Sequence, residues 1–350
     1  MSYLKSYKNR IAPPERSQLI SIVIPAYCAE KHLEIVVNGI PEFIDYIIIV
    51  DDCSTDGTLQ IAVRLASINP KIRIIKHEIN QGVGGAMLSG YALAFELNSL
   101  IVVKMDADNQ MDPGFLPDLL KPIINGESDY TKGNRFLMTD MSSMRASRRF
   151  GNLGLSFMTK LSSGYWDIFD PTNGYTAIHG CLIPLLNESL IDKRYFFETS
   201  LLMQLYLLRA VVKDIPIPVR YADETSHLSE WHSFFFFPSR LLLGLVHRIW
   251  RQYFLLDFNL VSLYIFSGIT MMGFGSIFGL YHWWRSAQLQ VPATTGTVML
   301  AVLPIILGVQ FLLQAVALDV QMVPRRAIHA SVGATRMPSR ANSPSESKKT

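Results

Sequence analysis

The chain has 350 residues, which exceeds one ordinary domain and leaves room for an appendage beside a well-packed core. Only 17% of the residues are charged and 49% are hydrophobic, with the apolar excess after residue 255, which indicates a membrane-associated part there. A formal net charge of +3 without a basic stripe argues against nucleic acid as a partner. Cys28, Cys53 and Cys181 form neither a CxxC nor a pair pattern, so we expect reduced thiols facing a cytosol.

The first part of the chain alternates short apolar runs with helix-length spacers. Four Ile- and Val-rich runs predict strands buried on both faces: Leu19–Pro25, Ile47–Val50, Ile72–Ile75 and Leu100–Val103. This order predicts an α/β fold with an open, mostly parallel sheet, whose ligands bind beyond the carboxyl ends of the strands. Residues 1–18 form a polar segment without a signal peptide, so we expect the sheet domain to stay in the cytoplasm.

Two long segments almost free of charge follow, Leu260–Tyr281 and Val298–Val320. A helix of about 22 residues spans roughly 33 Å, enough to cross a hydrocarbon core of about 30 Å. The connecting segment 282–296 carries Trp283 and Trp284, as expected of an aromatic belt at a membrane interface. The sequence therefore predicts a two-helix transmembrane hairpin.

Basic residues flank this hairpin. Three arginines precede the first span and two follow the second, whereas the connector has one, a bias that predicts cytoplasmic ends. Within Phe234–Phe254, Arg240, His247, Arg248 and Arg251 recur on one helical face, which predicts a helix lying in the membrane interface. A packed helix of the soluble domain is the alternative.

The last strand run is followed closely by Asp106-Ala107-Asp108. Residues i and i+2 of an extended segment face the same way, so both carboxylates can approach one hard cation such as Mg²⁺ or Mn²⁺. Gln110 offers a further oxygen. About one such triplet is expected by chance in a chain of this length. The metal-site prediction therefore depends on its place at the ligand edge of the sheet, and a solvated turn is the alternative.

Two other loops follow strand runs. In Asp51–Thr58, Ser54–Asp56 suit a helix cap, whereas Asp51 and Asp52 could accept hydrogen bonds from ribose hydroxyls or a base N–H. Asn80–Ala86 is rich in glycine but lacks the GxGxxG spacing and follows the third run, which argues against a dinucleotide site. Its small residues favour close packing against a bound ligand or the sheet.

Together these motifs resemble the family 2 glycosyltransferases with a GT-A fold, in particular polyprenyl-phosphate glycosyltransferases similar to dolichol-phosphate mannose synthase and bacterial undecaprenyl-phosphate glucosyltransferases. The resemblance covers about residues 19–325 and includes the C-terminal hairpin. The segments that carry it are Ile22–Glu30, Val50–Thr58, Asn80–Ala86, Met105–Pro113, Lys132–Phe136 and Asp170–Ala177.

The resemblance implies roles for individual residues. Those implied for donor binding are Pro25, Tyr27, Glu30, Asp52, Gly82, Asp106 and Asn173. Those implied for the metal are Asp106, Asp108 and Gln110. Those implied for the acceptor phosphate are Arg135, Arg145, Arg148 and Arg149, and those for catalysis are Asp106, Asp108, Arg135 and Asp170. His179 departs from the family's basic or aromatic residue, and Glu198 matches its acidic position loosely.

The resemblance also implies the domains and their location. We expect an N-terminal segment 1–18, a cytoplasmic GT-A catalytic domain 19–230, amphipathic juxtamembrane helices 231–257, two transmembrane helices within 258–323 and a polar, disordered tail 324–350. The expected location is the inner (cytoplasmic) membrane as a multi-pass protein with both termini cytoplasmic. A homo-oligomer is compatible with this arrangement.

The implied activity is inverting, metal-dependent hexosyl transfer from a UDP- or GDP-sugar to a polyprenyl phosphate. The product would be a lipid-linked monosaccharide for cell-surface glycan or glycoprotein assembly. A lipid phosphate is largely anionic at pH 7 because its second pKa is near ~6, so no strong general base is needed.

Two other functions stay open. A processive polysaccharide synthase of the same family would use a sugar acceptor, and such enzymes share a QxxRW motif, but no Arg-Trp dipeptide occurs here. A noncatalytic membrane scaffold that retains the fold predicts no donor turnover.

Overall fold

The computed structural model describes residues 19–135, 146–170, 173–194, 196–218 and 230–330, without the side chains of 146–152 and 230–237. The chain divides into two compact units. The sheet unit comprises Met1–Asn152, Asp167–His227 and Pro324–Thr350, and the helical unit comprises Leu153–Trp166 and Leu228–Val323.

The sheet unit is built around a single sheet, which has seven strands in the described part of the chain. In chain order they are β1 Ile20–Ala26, β2 Tyr46–Asp51, β3 Ile72–Lys76, β4 Ile101–Lys104, β5 Tyr130–Asn134, β6 Thr176–His179 and β7 Val212–Pro216. Across the sheet the order is β3-β2-β1-β4-β6-β5-β7, and only β6 runs antiparallel to its neighbours among these strands. The predicted mostly parallel sheet is confirmed, and the four predicted runs coincide with β1 to β4 to within one residue at each end.

Helices cover the sheet and form the second unit. They are α1 Leu33–Asn38, α2 Thr58–Ile68, α3 Gly82–Glu96, α4 Leu116–Ile124, α5 Ala146–Ser163, α6 Phe197–Leu207, α7 Glu230–Ile249, α8 Leu260–Leu289 and α9 Thr295–Gln321. The β-branched side chains of β1, β2 and β4 are almost wholly buried, as a sheet covered on both faces requires. Helix α3 approaches β1 closely at Gly90, where a Cβ would lie 2.2 Å from a methyl carbon of Val23.

In the helical unit, α8 and α9 are each long and apolar enough to cross a membrane, as predicted. The predicted connector 282–296 is too long, because α8 continues through Trp283 and Trp284 to Leu289 and α9 begins at Thr295. Residues 282–289 contain no glycine or proline that would break a helix. The helix ends where Gln290 adopts a left-handed conformation (φ 52°), two residues before Pro292.

Glycines set the packing of α8 against α9. A Cβ at Gly275 would lie 2.6 Å from the carbonyl oxygen of Ala301, and one at Gly308 would lie 2.8 Å from that of Gly268. Both distances are too short for any side chain, so the two backbones pack directly on each other. Small residues at a helix contact are typical of membrane helices, where close packing replaces the hydrophobic effect.

Helix α7 and the following π-helical turn Trp250–Leu256 form the segment predicted to lie in the membrane interface. Arg248 does not lie on an exposed polar face as predicted, because it is only 2% exposed. Its guanidinium donates to Asp319 of α9 at 2.8 and 3.0 Å and to the carbonyl oxygen of Leu161 at 2.9 Å. Arg248 is therefore packed inside the helical unit, which matches neither an exposed polar face nor a helix of the soluble domain.

The chain after α9 returns to the sheet unit. The backbone N–H groups of Ile328 and His329 donate to the Asp129 carboxylate at 2.9 and 3.0 Å, and His329 Nδ1 lies 2.7 Å from it. The prediction of a disordered tail from 324 onward is therefore wrong for 324–330, because Asp129 supplies acceptors for this segment. Residues 331–350 lie outside the described part of the chain.

Candidate functional site

A cleft of about 390 Å³ opens at the carboxyl ends of β1, β2 and β4. Its lining residues are Pro25, Ala26, Tyr27, Cys28, Ala29, His32, Asp52, Val83, Ala86, Asp106, Ala107 and Asp108. Parallel strands bring their carboxyl ends to one edge of the sheet, which is where open α/β sheets bind ligands. The structure thus brings together five of the residues predicted for donor or metal binding: Pro25, Tyr27, Asp52, Asp106 and Asp108.

Asp106 and Asp108 both line this cleft, directly after β4. Asp106 Oδ1 accepts a hydrogen bond from Lys104 Nζ at 2.6 Å, and Asp108 Oδ1 accepts one from the backbone N–H of Gln110 at 2.9 Å. The Gln110 side chain is exposed and is not part of the cleft lining. Its role as a metal ligand stays a prediction.

Lys104 is a charged residue beneath the cleft that the sequence analysis missed. It is 1% exposed and lies between two carboxylates, Asp106 at 2.6 Å and Glu198 of α6 at 3.3 Å. Burial by itself would lower the pKa of Lys104, but these two carboxylates outweigh it and raise the pKa above its ordinary value. A lysine that closes the apolar run Ile101–Val103 was the available signal.

The loop that carries Gly174 passes close to this pair. A Cβ at Gly174 would lie 2.4 Å from Lys104 Nζ and 2.7 Å from Asp106 Oδ2. The predicted motif Asp170–Ala177 therefore reaches Asp106, one of the two aspartates predicted to bind the metal, through its backbone at Gly174. Because Gly174 has no side chain, it does not displace the Lys104 ammonium group or the Asp106 carboxylate.

The first strand loop and the second are tied together beside the cleft. Glu30 Oε2 accepts from the backbone N–H of Gly57 at 2.7 Å, so this carboxylate holds the turn before α2. Asp56 Oδ1 accepts from the N–H of Thr58 at 3.1 Å, which makes Asp56 the residue that satisfies the start of α2. Glu30 does not line the cleft, and its role in donor binding stays a prediction.

Asp52 lines the cleft but is engaged by the protein. Its Oδ1 lies 2.7 Å from His77 Nδ1 and accepts from the N–H of Gln81 at 2.8 Å, and its Oδ2 accepts from the N–H of Gly82 at 2.7 Å. Asp52 therefore fixes the start of α3 as well as facing the cleft. The carboxylate of Asp52, which is predicted to bind the sugar donor, is thus held rigidly in place.

The glycine loop at the start of α3 packs on the protein. Gly82 has a φ of 83°, and a Cβ there would lie 2.5 Å from the carbonyl oxygen of Lys193. A Cβ at Gly84 would lie 2.3 Å from the carbonyl oxygen of Asp192. Because these glycines have no side chain, the backbone at 192–194 packs directly against the start of α3. Gly82 is absent from the cleft lining, and its predicted donor contact stays a prediction.

Arg135 and Asp170 form a second charged centre, at the end of β5. Arg135 donates from Nε at 2.8 Å and from Nη2 at 3.1 Å to the two oxygens of Asp170, a bidentate pair. Burial would raise the pKa of Asp170, but hydrogen bonds and charge from Arg135 hold it below its ordinary value. The structure brings together these two residues, which were both predicted for catalysis. Asp170 is fully buried, whereas the Arg135 side chain is 41% exposed.

Lys132 and Asn173 extend this centre inward. The buried Lys132 Nζ donates to the carbonyl oxygen of Asn173 at 2.7 Å, and Asn173 Oδ1 accepts from the N–H of Tyr175 at 2.9 Å. Burial lowers the pKa of Lys132 to about 8 despite the opposing charges of Asp170, Glu198 and Asp214. The predicted donor residue Asn173 is therefore held by its backbone and its side chain at once.

The structure does not place the remaining predicted residues in the cleft. Arg145 lies outside the described residues, and Arg148 and Arg149 lie in α5, of whose side chains there the structure describes nothing. His179 is not in the cleft lining. It ends β6 and stacks on His329 with ring centroids 4.2 Å apart.

The donor set at Asp106 and Asp108 fits a hard divalent cation. In the described part of the chain no group of three or more His, Cys, Asp or Glu residues forms a closed metal site. Mg²⁺ is commonly held by one or two carboxylates together with substrate phosphates and water. Two carboxylates facing one open cleft match that arrangement.

The chain is similar in sequence to known glycosyltransferases. Glycosyl transferase family 2 matches residues 21–179. The UDP-N-acetylglucosamine–dolichyl-phosphate N-acetylglucosaminyltransferase of Methanococcus voltae is 36% identical over 220 residues, 59% of this chain and 87% of that protein. The undecaprenyl-phosphate mannosyltransferase of Micrococcus luteus is 26% identical over 201 residues, 56% of this chain and 81% of that protein.

A solved structure shares the fold. Glucosyl-3-phosphoglycerate synthase from Mycobacterium tuberculosis, in complex with Mn²⁺, UDP-glucose and phosphoglyceric acid, matches with a TM-score of 0.51 and 20% identity, covering 71% of this chain and 82% of that one. At that identity the likeness concerns the fold alone, and it confirms the expected GT-A architecture. With the extent and identity of the relative from Methanococcus voltae, the chain belongs to glycosyl transferase family 2.

Proposed function

We propose that the protein transfers a sugar from a nucleotide-sugar donor to a membrane polyprenyl phosphate, with inversion at the anomeric carbon. The observation that carries this proposal is the 36% identity to a dolichyl-phosphate N-acetylglucosaminyltransferase, which extends over 87% of that relative. The relative from Micrococcus luteus also has a polyprenyl phosphate in its name. The two apolar helices also support a lipid acceptor. A lipid phosphate stays in the bilayer, and membrane helices would hold the enzyme beside it.

The cleft supports a donor site. Pro25, Tyr27 and Asp52 lie at the ends of β1 and β2, and Asp106 and Asp108 follow β4, which pairs with the other edge of β1. We assign the nucleoside to the residues at the ends of β1 and β2 and the diphosphate to the two aspartates after β4. Asp106 and Asp108 would hold Mg²⁺ or Mn²⁺, which when bound supplies positive charge to the leaving diphosphate.

The acceptor needs charge neutralisation more than a base. In the proposed step an oxygen of the lipid phosphate forms a bond to the anomeric carbon, the bond to the diphosphate breaks, and the nucleoside diphosphate leaves with the electron pair. The phosphate is already largely ionised at pH 7, since its second pKa is about 6. Arg135, held bidentately by Asp170, would orient this phosphate, and Arg145, Arg148 and Arg149 would add charge.

The two apolar helices also define the proposed location. We propose that α8 and α9 span the cytoplasmic membrane and that the sheet unit and both termini lie on its cytoplasmic side. The excess of arginine on the flanks of the helices supports this orientation. The proposed domains are those of the sequence analysis, except that α8 and α9 extend over Leu260–Leu289 and Thr295–Gln321 and that residues 324–330 belong to the sheet unit.

A donor and acceptor screen tests the proposal. The purified full chain is incubated in lipid nanodiscs with UDP- and GDP-sugars, UDP-N-acetylglucosamine first, with Mg²⁺ or Mn²⁺, and with undecaprenyl or dolichyl phosphate. We expect a lipid-linked monosaccharide of inverted anomeric configuration, identified by mass spectrometry and NMR. 3-Phosphoglycerate serves as a water-soluble phosphate control. Product on the soluble phosphate alone, or none in any combination, would refute the lipid acceptor.

A further inference from the structure

Asp214 lies in β7, outside every motif that the sequence analysis identified. Its Oδ2 accepts two hydrogen bonds, one from the Asn134 side-chain amide at 2.7 Å and one from the backbone N–H of Phe169 at 2.8 Å. These two donors are 80 and 45 residues away in the chain. One carboxylate oxygen therefore joins the end of β5 to the segment before β6.

The two donors directly precede the two members of the bidentate pair. Asn134 is followed by Arg135 and Phe169 by Asp170. The backbone N–H of Arg135 also donates to Asp170 Oδ2, at 3.3 Å. The Asp214 bridge and the Arg135–Asp170 pair are thus two successive links between the same two segments. The bridge holds the backbone of Phe169 and the side chain of Asn134, which directly precede the pair.

The sheet makes this bridge rigid. Asp214 is paired with Lys132 in the parallel β5–β7 ladder, so its backbone is fixed relative to β5. Asn134 is 1% exposed and pairs with Pro216 in the same ladder. Because β7 is held by its pairing with β5, a displacement of Phe169 and Asp170 would break the hydrogen bond from the Phe169 N–H to Asp214.

The charge of Asp214 has a local cost. Burial raises its pKa, and the neighbouring Asp170 raises it further, against the hydrogen bonds from Phe169 and Asn134 and the charge of Lys132. A partly buried carboxylate next to a second, fully buried one costs free energy, which its hydrogen bonds offset. In Asp214 these hydrogen bonds join the two segments that carry Arg135 and Asp170.

We propose that Asp214 is a positioning residue. By bridging Asn134 and Phe169, it sets the orientation of the Arg135 guanidinium, to which the proposed function assigns the acceptor phosphate. This inference rests on the proposed function of Arg135 and Asp170. Asp214 itself touches no substrate, and it acts through the Arg135–Asp170 pair.

The test compares three variants of the full chain in nanodiscs. Asp214→Ala removes both hydrogen bonds. Asp214→Asn keeps an amide oxygen that accepts both. Lys213→Ala, on the same strand, removes only a surface ion pair with Glu127 and serves as the matched control. Turnover against each substrate and binding of undecaprenyl phosphate by microscale thermophoresis are measured for all, together with the melting temperature.

For Asp214→Ala we expect about a tenfold rise in both the acceptor KM and the lipid-phosphate Kd, with a donor KM within about twofold of the unmodified chain. Asp214→Asn and Lys213→Ala should stay within about threefold for both substrates. In an Arg135→Ala background, Asp214→Ala should add little, because its effect passes through Arg135.

Three outcomes would overturn the inference. Unchanged acceptor binding and KM in Asp214→Ala would show that the bridge does not position Arg135. Equal losses for donor and acceptor, additive with Arg135→Ala, would show a purely structural role. An unmodified chain that neither binds nor glycosylates the lipid phosphate would refute the proposed function and this inference with it, whereas the first two outcomes leave the proposed function standing.

Discussion

Lys104 Nζ lies 2.6 Å from Asp106 Oδ1 and thereby places a buried positive charge against a carboxylate assigned to the metal. The same ammonium group lies 3.3 Å from Glu198 Oε1. Glu198 therefore shares the lysine with Asp106, and its negative charge weakens the hold of Lys104 on the carboxylate that faces the cleft. The availability of Asp106 to a cation depends on this competition.

Glu198→Gln tests the competition. Without the glutamate charge, Lys104 interacts with Asp106 alone, so we expect the Kd for Mn²⁺ to rise roughly three- to tenfold, corresponding to about 1 kcal/mol. The measurement is Mn²⁺ titration followed by electron paramagnetic resonance, without donor or acceptor. Glu127→Gln, an exposed carboxylate paired with Lys213, is the control. An unchanged Mn²⁺ affinity in Glu198→Gln would contradict the shared-lysine interpretation.

Asp108→Asn tests the metal assignment itself. The change keeps the acceptor for the Gln110 N–H but removes the charge, so we expect turnover to fall roughly a hundredfold or more with little change in melting temperature. Initial rates at saturating donor and acceptor measure the effect. Asp118→Asn, in the first turn of α4, should keep near-normal rates. Near-normal activity of Asp108→Asn would remove this residue from the metal site.

Local sequence determined what could be predicted of the fold. The strand runs β1 to β4 are continuous Ile and Val segments, so their position followed from residues adjacent in the chain. The aspartates at 106 and 108 and the cleft beside them followed from that sheet, because parallel strands bring their carboxyl ends together. Both predictions needed only local composition and one topological rule.

The contacts that were missed join distant residues. His329 and Asp129 are 200 residues apart, and Asp214 and Asn134 are 80 apart. No local pattern marks either partner of such a pair. Asp319, the single carboxylate within a long apolar helix, carried a stronger signal, since an isolated acid in such a helix requires a partner.

That partner is Arg248, and the pair is expected to hold the helical unit together. Asp319 accepts hydrogen bonds from Arg248, from Tyr253 and from Trp166, the last at 3.0 Å. Removal of one member of a buried ion pair costs about 3–5 kcal/mol because the other is left uncompensated. We therefore expect Asp319→Ala to lower the melting temperature of the detergent-solubilised chain sharply.

The double variant Arg248→Met/Asp319→Leu separates lost charge pairing from lost packing. Apolar replacement of both partners leaves no buried charge, so it should recover a large part of the stability that Asp319→Ala loses. Arg285→Ala, at an exposed arginine of α8, is the control and should melt like the unmodified chain. If the double variant melts as low as Asp319→Ala, the ion pair is not the cause.

The return of the chain to Asp129 is expected to depend on pH. Burial opposes ionisation of Asp129, but hydrogen bonds from the His329 side chain and from backbone N–H groups, including those of Val211 and Ile328, outweigh it and lower its pKa. A carboxylate with a depressed pKa stabilises the folded state above its unfolded pKa of about 4 and loses this contribution as pH falls through the folded value. His179, stacked on His329, has its pKa lowered from 6.5 to about 4 by burial and by His329, against the raising effect of Asp129.

The two groups act in different pH ranges. Below pH 6.5 the unfolded chain gains a proton on His179 that the folded chain does not take up until about pH 4, so stability falls across that interval. We expect His179→Phe, which keeps an aromatic ring against His329, to reduce the loss of melting temperature between pH 6.5 and 4.

Asp129→Asn should lower the melting temperature at pH 7, and its difference from the unmodified chain should shrink below pH about 4. Melting curves from pH 3 to 7 measure both effects. Parallel curves for Asp129→Asn and the unmodified chain throughout that range would mean that the Asp129 carboxylate does not hold the returning segment.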